Sequence, residues 1–132
     1  MNIKTFWPLL LVFTLAGIIN CNSLNESAEI GNDLYEYLQS GKTNAIASLL
    51  DEKALEEASA AEWEQKLTEN IEKHGDLKSF HRNSFKMTGD DHDETIYVLD
   101  FKVVYEKKTQ IEQLTFVKRG EEYKLLHHQV QS

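Results

Sequence analysis

Apolar residues follow three successive patterns along the chain. Phe6 to Ile19 is an uninterrupted, uncharged run, FWPLLLVFTLAGII. From Ile30 to Ile71 apolar positions recur every three or four residues, the period of a helix buried on one face. From Leu77 the period falls toward two and β-branched and aromatic residues rise, as in half-buried strands.

The middle pattern predicts three helices. Ile30, Leu34, Tyr37 and Leu38 share one face of the first, which Ser40-Gly41 closes, with Gly41 suited to a left-handed C′ position. Tyr35 and Tyr37, two apart, must face differently, so one of them is expected at the surface. Thr43 is placed to cap a short second helix burying Ile46, Leu49 and Leu50, and Asp51 to Ala58 continues helical with a weaker face. Ser59 and Glu62 form a capping box for the third, in which Trp63, Leu67 and Ile71 recur every four residues before Gly75. The last pattern predicts four strands. Lys78 to Met87 is the more polar and reads as an edge. Tyr97, Leu99, Phe101, Val103 and Tyr105 line one face of the next, and Ile111 to Lys118 and Glu122 to Val130 complete the set. Short links such as Arg119-Gly120-Glu121 join antiparallel neighbours. Helices first and an antiparallel sheet after them predict an α+β domain, with N-terminal helices packed on a curved four-stranded sheet.

The first pattern is an address. A membrane-spanning helix needs roughly 20 apolar residues, whereas the core of a signal peptide needs roughly 7 to 15. The run here has 14, after a short segment carrying Lys4. The single cysteine follows at once, in Ile18-Ile19-Asn20-Cys21. This resembles the lipobox of bacterial lipoproteins, with Asn20 where Gly or Ala is common. The resemblance implies a signal peptide over residues 1–20, lipidation (palmitate among the acyl chains) at Cys21, and anchoring in a membrane. Multiple acyl chains hold a protein stably where one does not. Residues 21–27 then read as anchor and tether, and 28–132 as one domain. Asn22 is not the inner-membrane retention Asp of the enterobacterial type, which points to the outer membrane of the cell envelope.

Charge narrows the partners. The 132 residues carry a net charge of -8, so nucleic acid is disfavoured. Once Lys4 is removed the protein is more acidic still, and anionic lipid repels it. With 41% hydrophobic residues the chain is globular, and one cysteine excludes an intramolecular disulfide.

Three stretches also resemble the nuclear-transport-factor-2-like, cystatin-like cone of small secreted bacterial proteins of unknown function. They are LYEYLQSGKTNAIASLL, AEWEQKLTENIEKHGDLKSF and LTFVKRGEEYKLLHHQV. The likeness spans residues 28–131, and Tyr123-Lys124-Leu125 stands where the family often has Trp-Lys-Leu. It implies a cone-like sheet and, frequently, a homodimer through the exposed sheet face, where Ile96, Val98 and Val104 give an apolar patch. They equally suit packing under a helix. These motifs are structural and carry fold further than function.

Candidate chemistry is sparse. Asp100 alternates onto the polar strand face with Lys102, although burial would make it a general base. His127 and His128 are neighbours on a strand and point to opposite faces, so they do not share one metal ion. His74 suits the C-terminal end of its helix. Asp90, Asp91, His92, Asp93 and Glu94 lack the spacing of a calcium loop and read as a solvated hairpin tip. No metal or cofactor motif is present. Trp63 belongs to the core or, alternatively, to the mouth of a pocket lined also by Tyr97, Phe101 and Tyr105, which suits a small apolar ligand. The expected role is non-catalytic: a lipid-anchored extracytoplasmic module binding an envelope protein or an apolar ligand. An isomerase- or hydratase-like enzyme, or an apolar-ligand carrier, working inside the cone is the alternative.

Overall fold

The computed structural model describes residues 25–89 and 94–131. Residues 25–40 form α1, Glu52–Glu57 form α2 and Ala60–His74 form α3, with a 3-10 helix over Thr43–Leu49 between the first two. Strands β1 (Leu77–Gly89), β2 (Thr95–Tyr105), β3 (Thr109–Arg119) and β4 (Glu122–Gln131) follow. They form an open antiparallel sheet in the order β1-β2-β3-β4, each strand beside its neighbour in sequence. This is the α+β architecture the patterns predict. Residues 1–24, which include the expected signal segment and Cys21, and residues 90–93 lie outside the described residues. Residues 25–27, read as the end of a tether, are already helical, and Ser27 is buried.

Local chemistry sets the helix ends. The Ser59 hydroxyl accepts from the Glu62 amide at 3.2 Å, the first half of a capping box, and donates to the Glu62 carboxylate at 3.2 Å, so the return bond runs to the hydroxyl. Gly75 ends α3 with φ 85°, a value that suits a residue without a Cβ. Asp51 caps α2 by accepting from the Lys53 amide. The second helix differs from expectation. Lys42, not Thr43, holds the N-cap position, without a side-chain cap bond, and the segment is 3-10. Its i, i+3 period puts Ile46 and Leu49 on one side, where both are buried. Leu50 then bridges to Leu125 of β4, which fixes the exit of this short turn.

The core lies between the helices and one face of the sheet. Leu34, Tyr35 and Leu38 of α1 and Trp63 and Leu67 of α3 cover Tyr97, Leu99, Phe101, Val103 and Tyr105 of β2 with Leu114, Phe116, Tyr123 and Leu125. Each such side chain contributes about 1.5–3 kcal/mol when fully buried. A Cβ on Gly31 would lie 2.5 Å from the Phe101 ring, so glycine lets α1 approach the sheet here. Tyr35 is fully buried and Tyr37 half-buried, so neither meets the expected exposure.

A polar clamp closes the hairpin end of the sheet. The Arg119 guanidinium meets both Asp51 carboxylate oxygens, at 3.2 and 3.3 Å, and also contacts Glu94. Asp51 donates its own amide to the Leu125 carbonyl at 2.9 Å. Asp51 thus ties the start of α2 to β4 through its amide and to the β3–β4 turn through its carboxylate.

Candidate functional site

Alternation along β3 carries an unusual group inward. Gln110, Glu112, Leu114 and Phe116 take the core side, and Glu112 has no solvent exposure. A buried carboxylate is destabilising by several kcal/mol unless paired and hydrogen-bonded. Glu112 is surrounded by donors. Tyr35 donates to Oε1 at 3.1 Å, Tyr105 to Oε2 at 2.6 Å and Gln110 Nε2 to Oε2 at 3.0 Å. His128 Nε2 lies 2.6 Å from Oε1. Gln110 also donates to Asn70 Oδ1 at 3.2 Å, linking the cluster to α3.

The electrostatics are consistent with an ionised centre. Burial acts to raise the Glu112 pKa, but hydrogen bonds and charge from His128, with bonds from Gln110 and Tyr105, outweigh it and hold the carboxyl below its usual range. Burial, then the Glu112 charge, pushes the phenols of Tyr35 and Tyr105 well up, which keeps both as donors. An ionised carboxylate only accepts, so His128 presents an Nε2 proton to it.

A surface groove of about 520 Å³ opens beside this cluster, between the α2–α3 corner and β4. Glu57, Glu62, Trp63, Lys66, Glu69 and His128 are among its lining residues. A second, of about 270 Å³, continues it along α3 past Gln129 and Val130, again bordered by Lys66, Glu69 and His128. Trp63 is held in place by its indole N–H, which donates to the Ala54 carbonyl at 3.1 Å.

The residues named from sequence scatter around this site. Trp63 packs in the core and borders the groove. Phe101 is fully buried against the Tyr35 ring, Tyr97 meets Tyr123 edge-on, and Tyr105 is engaged by Glu112. Asp100 lies on the other face of the sheet, accepting from Ser84 at 2.9 Å and Gln113 at 3.3 Å. Histidines 127 and 128 do face apart: His128 is buried, while His127 is exposed, 3.9 Å from Glu57. His74 sits 5.9 Å from the Tyr105 ring, and Ile96, Val98 and Val104 are half-buried. Glu94, from the acidic run, pairs with Arg119.

Sequence reasoning missed Glu112, Gln110 and Tyr35. The signal for Glu112 is its even spacing from Leu114 and Phe116. Ile111 and Val117 supply a competing odd-numbered apolar set, so the strand has no single inward register by pattern alone. No family model matches the chain, and no curated protein or solved structure matches it either.

Proposed function

We propose that the protein is a lipid-anchored, extracytoplasmic binding module of the bacterial cell envelope, held through Cys21 and carried to the outer membrane. The anchor rests on the lipobox-like Ile18-Ile19-Asn20-Cys21, and the binding role on the state of the interior. Glu112 is engaged by Tyr35, Tyr105, Gln110 and His128, and the aromatic rings beside it pack on one another. The polar cluster therefore stiffens the floor of the α3–β4 groove, and the groove, with Trp63 at its wall, is the surface offered to a partner. An envelope protein is the favoured partner. A small apolar ligand and a homodimer through the outer sheet face are the other occupants to test.

Two experiments address the two halves of the proposal. Cys21→Ala should leave an unprocessed precursor or a soluble protein; a variant that fractionates with membranes as before, its signal still cleaved, refutes the anchor. Native mass spectrometry of the gently extracted protein separates the binding roles. A discrete adduct identifies a small ligand, twice the chain mass a dimer, and a clean monomer directs the search to protein partners.

One observation favours a catalytic reading: the His128–Glu112 pair, 2.6 Å apart, borders the groove. A histidine oriented by a carboxylate serves as a general base in isomerase- or hydratase-like chemistry. His128→Gln tests it: a folded variant with unchanged binding and no activity to lose discards the reading.

A further inference from the structure

The two grooves along α3 share a wall, strand β4, and that wall is a sheet edge. β4 pairs with β3 on one side. On its outer side, among the described residues, backbone pairing occurs at Leu125, whose carbonyl takes the Asp51 amide. From His127 to Gln131 the outer edge is left facing the groove and solvent, and His127, Gln129, Val130 and Gln131 are exposed. An edge of this kind is a template for another strand.

The opposite edge is built differently. Gln39 of α1 caps β1 by donating to the carbonyls of Leu77 and Lys78, at 3.2 and 3.1 Å. β1 has two register irregularities, between Leu77 and Ser79 and between Arg82 and Ser84. It also carries Lys78, Arg82 and Lys86. Caps, bulges and cations are the devices that keep an edge unpaired. The segment from His127 to Gln131 has no lysine, arginine or proline, and its strand's irregularity falls earlier, between Leu125 and His127.

We propose that the α3–β4 groove receives an extended segment of a partner protein, which joins the sheet as a fifth strand beside β4 and bears lysine or arginine side chains toward the carboxylates at the α2–α3 corner. This rests on the binding-module reading and specifies its mode. Length and charge define the segment. The edge from His127 to Gln131 spans about 16 Å at roughly 3.3 Å per residue, room for a strand of about five residues. In the wider groove, at the His127 end, Glu57, Glu62 and Glu69 stand against Lys66, whereas past Gln129 and Val130 Lys66 and Lys73 flank Glu69, so the basic side chains of the segment belong at the His127 end. A second copy would bring the same carboxylates to face these, so a basic segment of a different protein fits better.

Hydrogen–deuterium exchange of the full chain in mild detergent tests this, with a seven-residue peptide alternating valine and lysine as probe. The peptide should slow exchange at residues 127–131 by about tenfold, equivalent to about 1.4 kcal/mol of protection. The same peptide N-methylated at alternate amides cannot pair with an edge and should protect nothing. Glu57→Lys with Glu69→Lys should weaken the unmodified peptide, while α3 keeps its own slow exchange as evidence of folding. The proposal is overturned if the probe leaves residues 127–131 unchanged, or if the methylated peptide protects them equally. Neither result touches the membrane anchor, which Cys21→Ala tests separately. A probe that binds without slowing these amides retains the groove as a binding face and removes strand pairing.

Discussion

Glu112 takes four donors into a fully buried position, so its replacement has consequences that can be signed. Glu112→Gln sets an amide NH2 among groups that are themselves donors and removes the charge facing His128. Breaking a buried pair from one side is destabilising by about 3–5 kcal/mol, and a fall of that size in the urea unfolding free energy at pH 7 is expected. The pH dependence follows from the lowered pKa. Folding holds the Glu112 carboxyl below its ordinary 4.5, so its contribution is complete above that pH and is lost as pH falls through the lower folded value. Unfolding curves between pH 6 and pH 2 should show that acid loss in the parent and a smaller one in Glu112→Gln. Tyr123 is the converse case: its hydroxyl is buried without a hydrogen-bond partner among the described residues. Tyr123→Phe should leave thermal stability unchanged or raise it by up to about 1 kcal/mol, since no bond is lost and an unpaired group is removed. The sequence exposes neither residue. A glutamate in a strand is ordinarily a solvent-facing residue, and an unmet hydroxyl depends on what the fold brings near it.

At the scale of elements, the sequence is most legible where the chemistry is local. The Ser59–Glu62 pair and Gly75 delimit the 15 residues of α3 from either end, and period-two alternation identifies β2 outright. Ser59→Ala removes the cap and should lower stability by about 1 kcal/mol, read from the denaturation midpoint. The 3-10 segment is less legible, because its geometry answers to the Leu50–Leu125 bridge across 75 positions of sequence. The place of α2 is likewise set at a distance, by Arg119 holding Asp51 and Glu94. Arg119→Met should therefore speed amide exchange in Glu52–Glu57 while α3 stays protected; equal loosening of both helices would show that the clamp does not act on α2 locally. The site itself is assembled from α1, α3, β2, β3 and β4, and no single segment contains its pattern.

For the whole molecule, β4 decides closure. It supplies His128 to Glu112, Leu125 to the core and the carbonyl that receives the Asp51 amide. A chain ending at residue 119 should lack cooperative unfolding by circular dichroism, although all the helices and three strands remain in its sequence. The meander gives every strand a partner next in sequence, which favours rapid pairing once the strands are present together. The Tyr35–Glu112 bond, by contrast, joins residues 77 positions apart. On the export proposed above, the N-terminal segment would lead and β4 would emerge after the other described elements. Until residues 122–131 are across, Glu112 would lack His128 and the core would lack Leu125, so the domain would close only once β4 joins it.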